Sequence, residues 1–83
     1  MQNKTNIVFN TLGMTPEELR QCVEDTCKLS SINYIEVRII EQPNYRSNIS
    51  AVRLTIPYAE YIDEIIYQVT TDIKFAENMK REN

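Results

Sequence analysis

Several residue types on which protein chemistry often depends are missing or scarce in this chain. Its 83 residues include no histidine, a single glycine and two cysteines. Without histidine, neither a cysteine–histidine zinc site nor a nucleophile with a histidine base can be assembled. One glycine is too few for a glycine-rich phosphate loop. We therefore expect no enzyme activity, no catalytic residue, no cofactor and no metal site.

The two cysteines, Cys22 and Cys27, fall within one predicted helix. Five residues apart on a helix, their Cα atoms lie about 8–9 Å from each other, beyond the roughly 7 Å limit for a disulfide. We assign Cys22 to the buried stripe of that helix and expect Cys27 to be partly exposed. The sequence also has no signal-peptide pattern and no apolar run of spanning length. A reducing, cytoplasmic setting away from membranes is the expectation.

The balance of charge is mildly acidic, because twelve acids against nine bases give a net charge of −3. Nucleic-acid binding needs a basic footprint that neutralises phosphates. The composition therefore disfavours a nucleic-acid partner, although a local basic patch remains compatible with an acidic whole.

Two elements are predicted in the first part of the chain. Residues 4–10 form a β-rich run that predicts a strand. Residues 16–29 are predicted to be helical, because Thr15, Pro16 and Glu18 make a capping-box start. The apolar spacing assigns this helix an inward stripe of Leu19, Cys22, Val23 and Thr26.

A second helix is predicted from Tyr58 towards Lys80, after Pro57 ends a strand. Its wide core face consists of Tyr58, Tyr61, Ile62, Ile65, Ile66, Val69, Ile73 and Ala76. We expect residues 76–83 to fray.

Between the helices, period-two alternation predicts a half-buried antiparallel hairpin. Matching its aliphatic residues gives the pairs Ile35–Ile56, Val37–Leu54 and Ile39–Val52. In this register Arg38 lies directly opposite Arg53 on the face of the hairpin that does not carry the aliphatic residues. Like charges at directly opposite positions destabilise a sheet. A shift by two positions would instead set Arg53 against Glu36 and would lose one core pair.

The predicted order is β-α-β-β-α, an α+β single domain over residues 1–83. Two helices on one face of a three-stranded sheet is the natural layering. In element order it is similar to a ferredoxin-like fold that lacks its final strand. If the first strand lies at a sheet edge, its lack of charge favours self-association, unless the strand is too short to matter. Tyr61 and Phe75 could then complete a homodimer core.

Two surfaces are candidates for binding a partner. One is the uncovered sheet side with its arginines, since tyrosine and arginine are enriched at binding hot spots. The other is the polar side of the second helix. The candidate residues are Tyr34, Arg38, Tyr45, Arg46 and Arg53 on the first surface, and Glu60, Asp63, Glu64 and Tyr67 on the second. The plain alternative is that both surfaces are simply solvated.

These observations favour a small non-enzymatic protein-binding module that regulates or inhibits an unidentified protein partner and can itself be a homodimer. One alternative is a single-stranded nucleic-acid binder that uses the sheet face. Another is a structural homo-oligomer subunit. The short chain, rich in asparagine and isoleucine, would suit an accessory protein of a phage or mobile element.

Overall fold

Three strands and two helices follow one another in the predicted β-α-β-β-α order. The computed structural model describes residues 4–41, 49–58 and 60–81. The elements are β1 (Thr5–Thr11), α1 (Pro16–Leu29), β2 (Glu36–Ile40), β3 (Ser50–Ile56) and α2 (Ile62–Arg81). The small α+β fold expected from the sequence is confirmed.

The strands form one antiparallel sheet in the order β1-β3-β2. β3 is therefore central, and β1 and β2 are the two edges. The predicted hairpin register is confirmed where β2 faces β3, since Val37 pairs with Leu54 and Arg38 with Arg53. The residues predicted to connect these strands, 42–48, lie outside the described part of the chain.

The predicted pair of Ile35 with Ile56 is wrong. Ile35 precedes β2 and is 47% exposed, whereas Ile56 is buried. The amide of Ile35 donates to the carbonyl of Thr55 at 2.8 Å, and Thr55 is also the residue that Glu36 faces. Ile35 and Glu36 thus both oppose Thr55, as in a β-bulge. The bulge removes Ile35 from the alternation of buried and exposed side chains along the strand.

Both ends of α1 are fixed by local hydrogen bonds. At the start, Thr15 Oγ1 accepts from the Glu18 amide at 3.1 Å, and Glu18 Oε1 accepts from the Thr15 amide at 2.9 Å. At the end, the amide of Ile32 donates to the Cys27 carbonyl at 2.8 Å, while Ser31 has a φ of 55°. This is a Schellman motif with serine at the left-handed position that glycine usually occupies. The predicted bounds of the helix, 16–29, are correct.

The expectation that Cys27 is partly exposed was wrong, whereas Cys22 packs against the core as expected. Cys27 is fully buried and Cys22 is only partly buried. Leu19, Val23 and Cys27 follow one another at intervals of four residues, and this row is the one that points into the core.

The second helix begins four residues later than predicted. Tyr61 has a φ of 58°, which is not helical, and its carbonyl accepts the first helical bond, from Ile65, at 3.0 Å. Tyr58 and Tyr61 consequently lie before α2 and are exposed, so their assignment to the core was wrong. At the other end, residues 76–81, where we expected fraying, are helical.

Both helices pack on the same side of the sheet. α1 lies over β2 and β3, while α2 lies over β1 and contacts α1. Thr26 of α1 donates a hydrogen bond to Asp72 Oδ2 of α2 at 2.8 Å, which ties the two helices together. The core between the layers is formed by Ile7, Phe9, Met14, Leu19, Val23, Cys27, Val37, Val52, Leu54, Ile56, Val69 and Ile73. No helix of the described residues covers the opposite side of the sheet.

Candidate functional site

The side of the sheet turned away from both helices is the first candidate site. We call it the outer face and define it by the side chains of Asn6, Val8, Asn10, Glu36, Arg38, Ile40, Ala51, Arg53 and Thr55. The register arranges these residues in rows across the three strands. The middle row consists of Val8, Arg53 and Arg38, in that order from β1 to β2. The contribution of β1 was missed, because alternation reveals the two sides of a strand but not its neighbour in the sheet.

Arg38 lies on the edge strand β2 and has an ion pair of its own. Its Nε donates to Glu36 Oε2 at 3.1 Å, two residues earlier on the same strand, and 62% of its side chain is exposed. An exposed pair of this kind contributes about 1 kcal/mol or less. Arg38 is thus paired but remains open to solvent and to a second acceptor.

Arg53 lies beside it on the central strand and differs in its surroundings. Its Nε is shielded from solvent and has no hydrogen-bond partner among residues 4–41, 49–58 and 60–81. None of the ion pairs found in those residues includes Arg53. A shielded donor without an acceptor costs about 1–3 kcal/mol, and the like charge of Arg38 directly opposite adds to this cost. Arg53 therefore carries its charge at the centre of the outer face without an ion-pair partner among the described residues.

Tyr34, an aromatic residue expected beside these arginines, does not lie on the outer face. Tyr34 precedes β2, is partly buried and packs against the hydrophobic core. Tyr45 and Arg46 lie outside the described residues. The nine outer-face positions contain no aromatic side chain.

The acidic candidate surface lies on the opposite side of the molecule, in the helix layer. Asp63 and Glu64 are in the first turn of α2 and are exposed, and Tyr67, one turn further on, is 72% exposed. Glu60, which we predicted on the same helix, precedes it. Apart from Tyr34, the described binding candidates thus fall into two groups, one on the sheet and one in the helix layer.

A cleft that sequence reasoning did not anticipate lies between the end of α1 and the start of α2. It has a volume of about 500 Å³, and its walls include Ser31, Tyr58, Glu60, Tyr61 and Glu64. Both residues with left-handed φ, Ser31 and Tyr61, line it. No sequence pattern marked the cleft, because it depends on where α2 begins.

The two thiols are poorly suited to chemistry. Burial, and then the charge of Glu24, raises the pKa of the Cys27 thiol to about 11. Burial also raises the pKa of Cys22, with smaller contributions from Asp72 and Asp25. Within the described residues, no group of three or more cysteine, aspartate or glutamate side chains could hold a metal ion.

Comparisons with known proteins add no assignment. No protein-family model, no curated protein and no solved structure matches this chain. In the described part of the chain, neither helix has the length and apolar character needed to cross a membrane.

Proposed function

We propose that this chain is a small non-enzymatic protein-binding module that regulates or inhibits a partner protein, and that the outer face is its contact surface. The observation that carries the proposal is the shielded Nε of Arg53, which lacks an acceptor among the described residues and lies opposite Arg38. Both cysteines are free thiols, and this supports a reducing, cytoplasmic setting for the interaction.

An external carboxylate would remove both costs at the centre of the outer face once the partly exposed side chain of Arg53 turns so that its Nε leaves the shielded position. Buried donors in folded proteins are nearly always paired, so each exception calls for an explanation. A carboxylate placed between Arg38 and Arg53 would accept charge-assisted hydrogen bonds from both, and hydrogen bonds to charged groups contribute about 1.5–3 kcal/mol. Both arginines would then attract the same anion, and this attraction would offset their mutual repulsion.

The carboxylate of a protein fits this surface better than the phosphates of a nucleic acid. Single-strand binders combine a basic groove with aromatic side chains on which bases stack. The outer face has two arginines, one of them paired with Glu36, and its nine positions include no aromatic residue. The chain as a whole carries a net charge of −3. A single-stranded nucleic acid is therefore an outcome to be tested and not the proposal.

The test is affinity capture of the tagged protein from its native lysate, with and without nuclease, using three versions of the chain. The first is the wild type, and the second combines Arg38→Gln with Arg53→Gln. The third combines Arg20→Gln with Lys28→Gln, which makes the same change of charge on α1.

The proposal expects a protein that survives nuclease treatment, is retained by the α1 variant and is lost from the outer-face variant. Recovery of nuclease-sensitive material alone would show that the partner is a nucleic acid. Equal loss from both variants would show that net charge, and not the outer face, controls binding.

A further inference from the structure

The outer edge of β1 is unpaired in the described residues and lacks the usual features that prevent strand addition. β1 pairs with β3 on one side only. Its seven residues, Thr5–Thr11, contain no charged side chain and no proline. Natural edge strands are normally blunted by charge, proline or a bulge. The single bulge-like distortion found in this sheet is at the β2 edge, at Ile35.

The hydrogen-bond pattern shows which amides of β1 face this open edge. The carbonyl of Thr55 accepts from Ile35, so Thr55 directs its backbone groups towards β2. In an antiparallel ladder this direction alternates along the strand, so Leu54 faces β1 and bonds to Ile7. By the same alternation, the amides directed away from β3 are those of Asn6, Val8 and Asn10.

The helix above β1 provides an apolar side chain beside this edge. Val69 is fully buried against the core, and Asp72, three residues later, accepts a hydrogen bond from Thr26 of α1. Ile66, three residues before Val69, therefore lies on the opposite flank of α2, turned away from α1. It is 37% exposed. The open edge thus has unpaired amides in the sheet layer and an accessible isoleucine in the helix layer.

We propose that an extended segment of a partner protein pairs with β1 as a fourth strand, with apolar residues at alternate positions packed against Ile66. Strand addition of this kind gains affinity from main-chain hydrogen bonds and specificity from alternate side chains. This inference goes beyond the proposed function, because it concerns a different surface and does not require the arginines.

A second copy of this chain fits the edge less well than such a segment. Each edge strand of the sheet has a helix associated with it, since α2 covers β1 and α1 covers β2 and β3. Paired strands lie about 4.8 Å apart, whereas packed helices need about 8–10 Å between their axes. A copy paired antiparallel through its own β1 would carry its α2 on the same side of the sheet and would therefore crowd that helix against α2. A segment without a covering helix avoids this crowding.

The test is amide hydrogen exchange measured by NMR on the full chain, with a millimolar peptide of alternating valine and threonine as the probe. A peptide of the same composition with a central proline is the control. In the free protein, the amides of Asn6, Val8 and Asn10 should exchange rapidly, and those of Ile7 and Phe9 slowly. The alternating peptide should slow exchange at the first three by about tenfold or more, and the proline peptide should not.

Two substitutions separate strand addition from unspecific adhesion of the peptide. Ile66→Thr should reduce the protection, whereas Met79→Thr, at an exposed apolar position near the other end of α2, should leave it unchanged. Failure of the peptide to protect these amides would overturn the proposal, and so would equal effects of the two substitutions. Protection that appears without peptide and grows with protein concentration would overturn it in favour of a second copy.

Discussion

Replacing Arg53 by methionine should make the isolated protein more stable. Methionine keeps an unbranched apolar stem of similar reach, so packing along the sheet is largely retained. The substitution removes a shielded donor that has no acceptor in the described residues, which costs about 1–3 kcal/mol. It also removes a like charge directly opposite Arg38, which costs a few tenths of a kcal/mol or more.

The expected gain is therefore about 1–2 kcal/mol in the free energy of unfolding. For a domain of this size, that corresponds to a rise of about 5 °C or more in Tm. Urea unfolding followed by circular dichroism, together with a thermal scan, measures both quantities.

Arg38→Met is the matched control for this prediction. It relieves the same repulsion, but it breaks the ion pair with Glu36, so its net effect should be close to zero. A gain for Arg53→Met alone would assign the cost to the shielded donor. A loss of 1 kcal/mol or more with Arg53→Met would refute the reasoning, because it would mean that the guanidinium stabilises the fold.

Three further predictions concern α1 and its ends. Ser31→Gly should raise the free energy of unfolding by about 1 kcal/mol, because serine occupies a left-handed position there. Ser30 has a φ of −99°, so Ser30→Gly should lower the free energy of unfolding. Urea titration measures both changes. The hydrogen bond from Lys80, followed by that from the Thr15 backbone, lowers the pKa of Glu18 below its ordinary 4.5. Stability from this group is therefore present above pH 4.5 and lost as pH falls through the lower folded pKa, and Glu18→Gln should flatten the acid limb of the stability–pH curve. The pKa of the Cys27 thiol is raised from 9.0 to about 11, so the native protein should hold about a hundredfold less Cys27 thiolate at pH 8 than an ordinary cysteine would. Mass spectrometry after brief alkylation should therefore find Cys27 unmodified until the chain is unfolded.

Each of these three predictions has a result that would contradict it. Equal destabilisation by Ser31→Gly and Ser30→Gly would contradict the assignment of a Schellman motif at the end of α1. An unchanged acid limb in Glu18→Gln would show that its contact with Lys80 does not persist in solution. Rapid alkylation of Cys27 in the native protein would place that thiol outside the core.

Local signals in the sequence were sufficient for α1 and for the hairpin register. The capping box at Thr15 and Glu18 fixes the start of α1 through contacts three residues apart, so no tertiary information is needed. The register followed from matching Val37 with Leu54, because burial of one side of a strand specifies its pairing.

The errors arose where tertiary geometry overrides local pattern. Tyr58 and Tyr61 match the helical period of α2, but the left-handed φ of Tyr61 delays the start of that helix. Ile35 continues the strand alternation in the sequence, but it lies in a bulge where Ile35 and Glu36 both oppose Thr55, and this removes its side chain from the core.

The candidate site was predictable only in part, for a related reason. The pairing of Arg38 with Arg53 depends on the hairpin alone and could be derived from the sequence. The placement of Val8 beside Arg53 depends on the strand order, which requires β1 to pair with β3 although α1 and β2 lie between them in the chain. The shielding of the Arg53 Nε depends on how side chains pack around it, so no local pattern could indicate it.

The most direct test of the account is the NMR signal of the Arg53 Nε–H group in the free protein and in complex with the captured partner. We expect no hydrogen-bond scalar coupling from this group to any acceptor of its own chain in the free state. On binding, its resonance should shift, and a coupling to a carboxylate of the partner should appear. A coupling to a carboxylate or carbonyl of its own chain in the free protein would contradict the account.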